Sequence, residues 1–469
     1  MCPRANVKHQ KLEADLVVVG GGGSGLAAAL TAAEKGIKNI IVLEKRGSLG
    51  GNTAMASGPF ACESPVQARE YIIADKDALF KHAMDWAHWS RVDPRIFRAF
   101  LNKSGDTIRW LEQMGLQFTI RTFFPNQVPR VQHVVKGRGA QLIKALAAQC
   151  RERGVTLLLR HGGKKILTSK NKGVIGIVSS GENQDIIIET RYIIIATGGF
   201  TGNKKLLKKY CPLYFDGFGN RGVPLMGDGL LMAQEAGAAI EDFVTLLKEG
   251  PRVDLHTWPL MSLERDPVTL WVNCRGERFT DESIGMHPFE AVNPILRQPG
   301  KVVYSLLDTS IKEKMAEKLP GLDKALEAEV NRGRVKKARF WKEIAAWIGA
   351  SPAALQATVA EYNTFCARGY DALFAKDGRY LLQLIQPPFF AIRCHPHMLD
   401  TMGGVRVNER MEVLNTYDEP IRGLYAAGVA TSGWESENYC SDLSGSALGF
   451  ALNSGRIAGE SVAAFISGV

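Results

Sequence analysis

Three glycines, Gly20, Gly22 and Gly25, stand in VVVGGGGSGLAAAL where a β-branched run meets an alanine-rich one. At such a turn the first glycine permits a sharp bend, the second lets backbone N–H groups approach a pyrophosphate, and the third lets helix pack closely on strand. The positive end of the helix dipole then faces the phosphates. Glu44 follows at the end of the next β-branched run, nineteen residues after Gly25, where a carboxylate can hold ribose hydroxyls. The spacing predicts a strand, turn, helix and second strand that together cradle a dinucleotide.

Other chemistries are not written here. Eight cysteines, none in a Cys-x-x-Cys pair, predict neither a zinc site, an iron–sulfur cluster nor a haem attachment, so no metal is expected and the thiols read as those of a reducing compartment. The net charge of +10 comes from scattered residues with short clusters at Lys204, Lys205, Lys208, Lys209 and at Arg334, Lys336, Lys337, Arg339. No nucleic-acid recognition motif accompanies them, so a solvated face or attraction of an anionic substrate is expected rather than nucleic acid. The first fourteen residues are polar and no uncharged run has the length of a membrane helix, which predicts a cytoplasmic protein that does not span a membrane.

At 469 residues the chain exceeds the roughly 250–300 at which a single core stops growing. Strands are predicted at 16–19 and 39–43 with a helix at 25–35 between them, then strands in VTLLLRH, VIGIVSS, DIIIETR and YIIIATGG, and a helix in GDGLLMAQEAGAAI from Gly227. From about 243 to 392 the texture changes to short strands and charged amphipathic helices, notably GLDKALEAEVNRGRVKKARFWKEIAAWIG and SPAALQATVAEYNTFCARG, the latter opened by Ser351 and Pro352. Glycine-rich βα texture then returns. The expected fold is α/β: a discontinuous Rossmann-like nucleotide-binding domain (1–242 and 393–469) with an inserted α+β capping domain (243–392) that serves as a substrate lid.

From Glu44 onward, in EKRGSLGGNTAMASG, the chain resembles the flavoprotein subunits of fumarate reductase and succinate dehydrogenase and their soluble relatives. The resemblance continues in order through ATGGFTGN, GDGLLMAQEAGA, VNCRGERFTDES, DTMGGVRV, GLYAAGVATSGW and GSALGFALNSGRIAGE. It implies FAD. It places Gly50, Gly51, Asn52, Thr53, Ser57 and Gly58 along the isoalloxazine ring, and Ala196, Thr197 and Gly198 on the adenosine side. Gly428, Ser446, Ala447 and Leu448 fall at the ribityl and pyrimidine end, and Lys45 and Asp228 join the cofactor-binding set through their motifs. Succinate dehydrogenases carry a histidine in the first of these loops that bonds the flavin; here the loop reads Gly51-Asn52-Thr53, which predicts non-covalent FAD.

The resemblance fails where a dicarboxylate would be held. The position of the proton-donating arginine, four residues after Glu282, is Met286; the family's His-His-Thr-Met-Gly-Gly reads Leu399-Asp400-Thr401-Met402-Gly403-Gly404; and the arginine of its Asn-Arg-Leu-Gly-Gly is Asp442. The Thr-Glu pair that precedes the VN strand falls near Met261 and Ser262. Two buried carboxylates need cationic or donor partners, so fumarate and succinate are not expected. Reduction or formation of a C–C double bond needs an acid or base opposite the flavin and donors that polarise an adjoining carbonyl. Three residues are candidates: Asp400, beside the Thr-Met-Gly-Gly turn; Tyr439, near where ketosteroid dehydrogenases carry a tyrosine, at a longer spacing; and His287, next to the vacated arginine position. Arg252 and Arg265 could each hold one carboxylate or a carbonyl, whereas Arg278 or Arg275 is expected to pair with Glu282.

The expectation is an FAD-dependent oxidoreductase acting on a C–C bond next to a carbonyl, as ene-reductase or dehydrogenase. Its partners would be a small carbonyl-activated alkene or the saturated form, and a separate electron donor or acceptor. A flavin dehydrogenase or oxidase of C–N or C–O bonds and a non-catalytic flavin electron carrier remain alternatives.

Overall fold

The computed structural model describes residues 10–122, 129–169, 173–181, 184–253 and 258–468. They divide into two compact units, one of Met1–Tyr214, Gly222–Leu246 and Asp400–Val469, the other of Phe215–Arg221 and Leu247–Leu399. Cys2 lies outside the described residues.

The first unit is built on a six-stranded sheet. Strand Leu16–Val19 is central and wholly buried, flanked in parallel by Ile40–Glu44 and Ile193–Ile195. Thr156–Leu159 and Pro420–Ala426 extend it in parallel on either side, and Glu412–Leu414 closes one edge antiparallel. Val, Ile and Leu fill these strands because a parallel sheet covered on both faces has no wet side. The nucleotide-binding order therefore comes from three distant parts of the chain. A second sheet of four strands, Gln10–Glu13, Asp185–Glu189, Gly173–Ser180 and Gly162–Ser169, accompanies it.

Helix Gly23–Glu34 follows the glycine turn and crosses the C-terminal helix Ser446–Ser467 at close range. A Cβ added at Gly455 would lie 2.2 Å from the Ser24 carbonyl oxygen, and one at Gly459 2.5 Å from that of Ala28. The crossing exists because those helix positions carry no side chain. It ties the two ends of the discontinuous unit together.

The second unit packs its core around the long strand Phe389–Met402, whose last residues pass into the first unit. Val303–Leu307 and Val335–Ala338 pair with it antiparallel, Leu270–Val272 pairs with Val303–Leu307, and Thr245–Arg252 also joins the long strand. Helix Pro352–Arg368 starts after Ser351 with proline in its first turn; the Ser351 hydroxyl makes no capping bond, so here the proline rather than the serine sets the start. The charged stretch before it is not continuous helix. Helices Leu322–Asn331 and Trp341–Ile348 are separated by Val335–Ala338, because Gly333 turns the chain at φ +73° and Val335–Ala338 then pairs with the long strand, with Val335 and Ala338 buried.

A buried ionic network fixes this unit. Arg278 holds Glu282 through two hydrogen bonds of 2.9 and 2.8 Å and also reaches Asp371 at 2.8 Å. Lys376 pairs with Glu282 at 3.0 Å and bonds the Tyr362 hydroxyl at 3.0 Å. Two cations meet two carboxylates, which is the condition for burying such charges without an uncompensated one.

Candidate active site

The glycine turn does in three dimensions what its spacing predicts. Gly20 has φ +116°, and a Cβ there would lie 2.3 Å from the Ala196 carbonyl oxygen; a Cβ at Gly25 would lie 1.9 Å from that of Gly20. Both glycines are demanded by the fold. Gly22 is different: its φ of −83° suits any residue, and an added Cβ would meet only the Gly50 oxygen at 3.7 Å. Nothing among the described residues requires glycine there, and its lack of a side chain leaves room for a ligand against the backbone at the N-terminus of Gly23–Glu34. The Thr197 hydroxyl, buried without a hydrogen-bond partner, also suits a site completed by a ligand.

Around this turn the structure gathers most residues named for the cofactor. The Glu44 carboxylate accepts from the N–H of Gly21 at 3.0 Å and of Arg46 at 2.8 Å, which aims it at the turn. The Thr53 hydroxyl accepts from the Gly23 N–H at 3.2 Å, and Gly50 donates to the Gly21 carbonyl at 2.9 Å, so the loop Gly50–Thr53 is laced to the turn. Gly428 donates to the Ser454 hydroxyl at 2.9 Å, and its own Cβ would strike Ser24. Lys45 and Asp228 form an ion pair with each other on the partly exposed side. Gly58 backs directly onto the carbonyl of His133, leaving no room for a side chain.

Asp400 is brought to this loop from 348 residues away. Its Oδ2 accepts from Asn52 Nδ2 at 2.6 Å and its Oδ1 from the Thr401 N–H at 2.9 Å, with a further bond from Gly199. Asn52 in turn accepts from the Val223 N–H at 2.7 Å. Burial pushes the Asp400 carboxyl up to about 6, against those hydrogen bonds, which pull it down. A buried carboxyl that titrates near neutrality can both hold and release a proton.

Tyr439 belongs to another corner. Its hydroxyl accepts from the Ala447 N–H at 3.3 Å in the first turn of Ser446–Ser467, and burial pushes its phenol up to about 12. It thus joins Ser446, Ala447 and Leu448 rather than Asp400. His287 lies in the second unit, half-buried at the start of helix Pro288–Leu296. Met286, in the arginine's place, receives a weak contact from the Tyr380 hydroxyl at 3.7 Å. Asp442 pairs with His82 at 3.0 Å.

The Arg278 guanidinium is the partner of Glu282, and the backbone N–H of Arg275 donates to the Asn273 side chain. His397 is buried on the long strand. Sequence reasoning missed Arg221, Glu249 and Glu264, which form a buried ionic chain with Arg252. The available signal was the charged triplet Glu264-Arg265-Asp266 in a stretch, 258–272, that carries no other charge.

The family described as FAD binding domain matches residues 15–439, and the chain belongs to it. Among its relatives, a vinyl phenol reductase of Lactiplantibacillus plantarum is 30% identical across 96% of this chain and 96% of that protein. An NADH:fumarate oxidoreductase of Klebsiella pneumoniae is 30% identical across 96% of this chain but only 47% of its own length. The open conformation of a flavocytochrome c3 fumarate reductase superposes with a TM-score of 0.78 at 26% identity, covering 96% of this chain and 78% of that one. The chain is thus an FAD-dependent oxidoreductase acting on a carbon–carbon bond. No described helix is long and apolar enough to cross a membrane.

His133, near the flavin loop, has its Nε2 bonded to the Ser64 hydroxyl at 2.6 Å and its Nδ1 to the Val131 carbonyl at 2.9 Å, so neither nitrogen is free to bond a flavin. Acid precipitation of the holoprotein is accordingly expected to leave all yellow colour in the supernatant; flavin retained in the washed pellet would contradict a non-covalent site.

Proposed function

We propose that this protein reduces an alkene conjugated to an aromatic ring or a carbonyl and carrying at most one negative charge. The observation that carries this reading is the pair of carboxylates at the two positions where the resemblance places a dicarboxylate's histidine and arginine. Asp400 is buried there, and Asp442 is engaged with His82. Neither point then offers the cationic or donor partner that a second buried carboxylate needs. The near-complete overlap with a vinyl phenol reductase supports the same reading, because a vinyl phenol has no carboxylate.

FAD, held at the turn of Gly20, Gly22 and Gly25 with Glu44 beside it, would supply hydride chemistry to one carbon of the alkene. The chain supplies the rest. Asn52 and the Thr401 and Gly199 N–H groups fix the Asp400 carboxyl, and Asp400 delivers the proton to the other carbon. Tyr439, neutral and anchored at the first turn of Ser446–Ser467, orients and polarises rather than protonates. The role of the second unit as a substrate lid, and a separate reductant that returns the flavin to its reduced form, complete the proposal.

With a viologen as artificial reductant, steady-state turnover is expected for 4-vinylphenol, aryl acrylates or simple enones, with the saturated compound as product. Turnover of fumarate at a comparable kcat/KM would sink the reading.

A further inference from the structure

The loop read along the flavin is backed by a strand, and the strand carries a buried histidine to which the proposed reaction gives no part. The Val135 N–H donates to the Ser57 carbonyl at 3.1 Å, the His133 N–H to that of Pro59 at 2.9 Å, and the Ala61 N–H to that of Val131 at 3.0 Å. Gly58 lies against the His133 carbonyl, where a Cβ would stand at 1.8 Å. Strand His133–Val135 thus sets where Ser57–Ala61 lies.

The His133 side chain is closed off from solvent in a small polar network. Its Nδ1 lies 2.9 Å from the Val131 carbonyl, which only accepts, so Nδ1 carries the proton and Nε2 is the acceptor. The Ser64 hydroxyl donates to Nε2 at 2.6 Å and accepts from the Gln67 N–H at 3.1 Å, capping helix Pro65–Arg69. Gln67 Oε1 accepts from the Ser64 N–H at 2.9 Å, and its Nε2 donates to the Ala61 and Arg130 carbonyls at 3.0 Å each. Ser64 and Gln67 are buried as His133 is, and with a neutral imidazole every polar side-chain atom of the three has a partner.

No charged side chain among the described residues offsets an imidazolium there. Glu63 pairs with Lys76 at 3.3 Å, Arg69 with Glu112, and Lys136 reaches Gln117 at 3.2 Å, while Arg121 and Arg130 are exposed. The ring of Phe118 meets the imidazole edge-on, and the stretch 123–128, FFPNQV, contains no titratable residue. Burial accordingly holds the imidazole down at about 4, opposed only by the Val131 bond. A second proton would put a charge without a counter-ion in the core, and would meet the Ser64 hydroxyl proton at Nε2.

We propose that His133 is a positioning residue for the flavin loop: neutral, it locks the strand behind Ser57–Ala61, and on taking a second proton it lets strand and loop part, so that FAD escapes. This rests on the placement of the flavin along that loop. In the opened loop the imidazole returns to its ordinary value of about 6.5. The lock is therefore at full strength above that pH, weakens as pH falls toward 4, and is constant below. Between pH 7 and pH 4.5 the opened fraction is expected to rise roughly 50-fold.

Flavin fluorescence after a jump of holoprotein from pH 7 to pH 4.5 reads the release directly. The rate for wild type is expected to exceed its rate at pH 7 by that factor. His133→Gln, whose amide oxygen still accepts from Ser64 but takes no proton, should stay nearly level. Asp400 is common to both proteins, so its titration, of opposite sign, cancels in the comparison. In wild type alone, the hydrogen-exchange protection of the His133 and Val135 amides, corrected for intrinsic rates, should fall by the same factor while that of strand Leu16–Val19 holds. Equal acceleration in the two proteins, or undiminished protection at pH 4.5, would overturn the role of His133. Lost protection without faster release of FAD would overturn the placement of the flavin along this loop, and with it the link from His133 to the cofactor.

Discussion

Gly22→Ser is expected to fold as well as the wild type and to lose FAD. Gly22 is the N-cap of helix Gly23–Glu34, with φ −83° and ψ −173°, a conformation open to any residue. A Cβ there meets nothing closer than 3.7 Å. Serine is among the best N-cap residues, so the apoprotein should be unchanged or a few tenths of a kcal/mol more stable. The same hydroxyl would occupy the space against the backbone and take up N–H groups that a pyrophosphate needs. Losing one or two charge-assisted hydrogen bonds of about 1.5–3 kcal/mol each predicts FAD affinity lower by at least roughly tenfold. Flavin per mole of protein after dialysis, with urea midpoints of the two apoproteins, separates the effects. Gly25→Ala supplies the contrast: its Cβ would sit 1.9 Å from the Gly20 oxygen, so that variant should fail to fold rather than fold without cofactor. Full FAD binding by Gly22→Ser would mean that the turn does not cradle the pyrophosphate.

Asp400→Asn is expected to keep FAD and to lose turnover by about 10²–10⁴-fold, the usual contribution of a positioned acid. In the reductive direction the active form is the protonated carboxyl. Its value of about 6 predicts that kcat/KM is level below pH 6 and falls about tenfold per pH unit above it. Stability should respond with a definite sign. The folded value is raised from 3.8, so the group's stabilising contribution is complete below about pH 4. It is lost as pH rises toward 6 and constant beyond, a change of about 3 kcal/mol. Asp400→Asn should flatten that stretch of the unfolding profile. An unchanged rate and pH profile would reduce Asp400 to a turn cap that fixes Asn52, and would send the search for the donor to Tyr439 and His287.

The parts of this site that were legible in the sequence are those with local spacing. Gly20, Gly22, Gly25 and Glu44 lie within one βαβ stretch, and the four-residue interval from Arg278 to Glu282 marks an ion pair on one face of a turn. The link from Asp400 to Asn52 spans 348 residues and no periodicity encodes it; only the resemblance set both beside one ring. Glu249 and Glu264 were overlooked because a glutamate with no visible partner reads as solvated, and only a partner brought up by the fold, such as Arg252, makes its burial tolerable. Strand Val335–Ala338 was hidden for a related reason. Its lysines continue the composition of the neighbouring helices, while the strand that fixes it, around Phe389–Ile392, lies more than fifty residues further on.

The most direct test of the central claim is a single-turnover one. Holoprotein reduced anaerobically would be mixed with 4-vinylphenol, an aryl acrylate, a simple enone and fumarate in separate runs, following the return of the oxidised flavin band. Fast, saturable reoxidation by at least one of the first three, with none by fumarate, is the result expected. Reoxidation by fumarate as fast as by the best of them would contradict an alkene site built against a second negative charge.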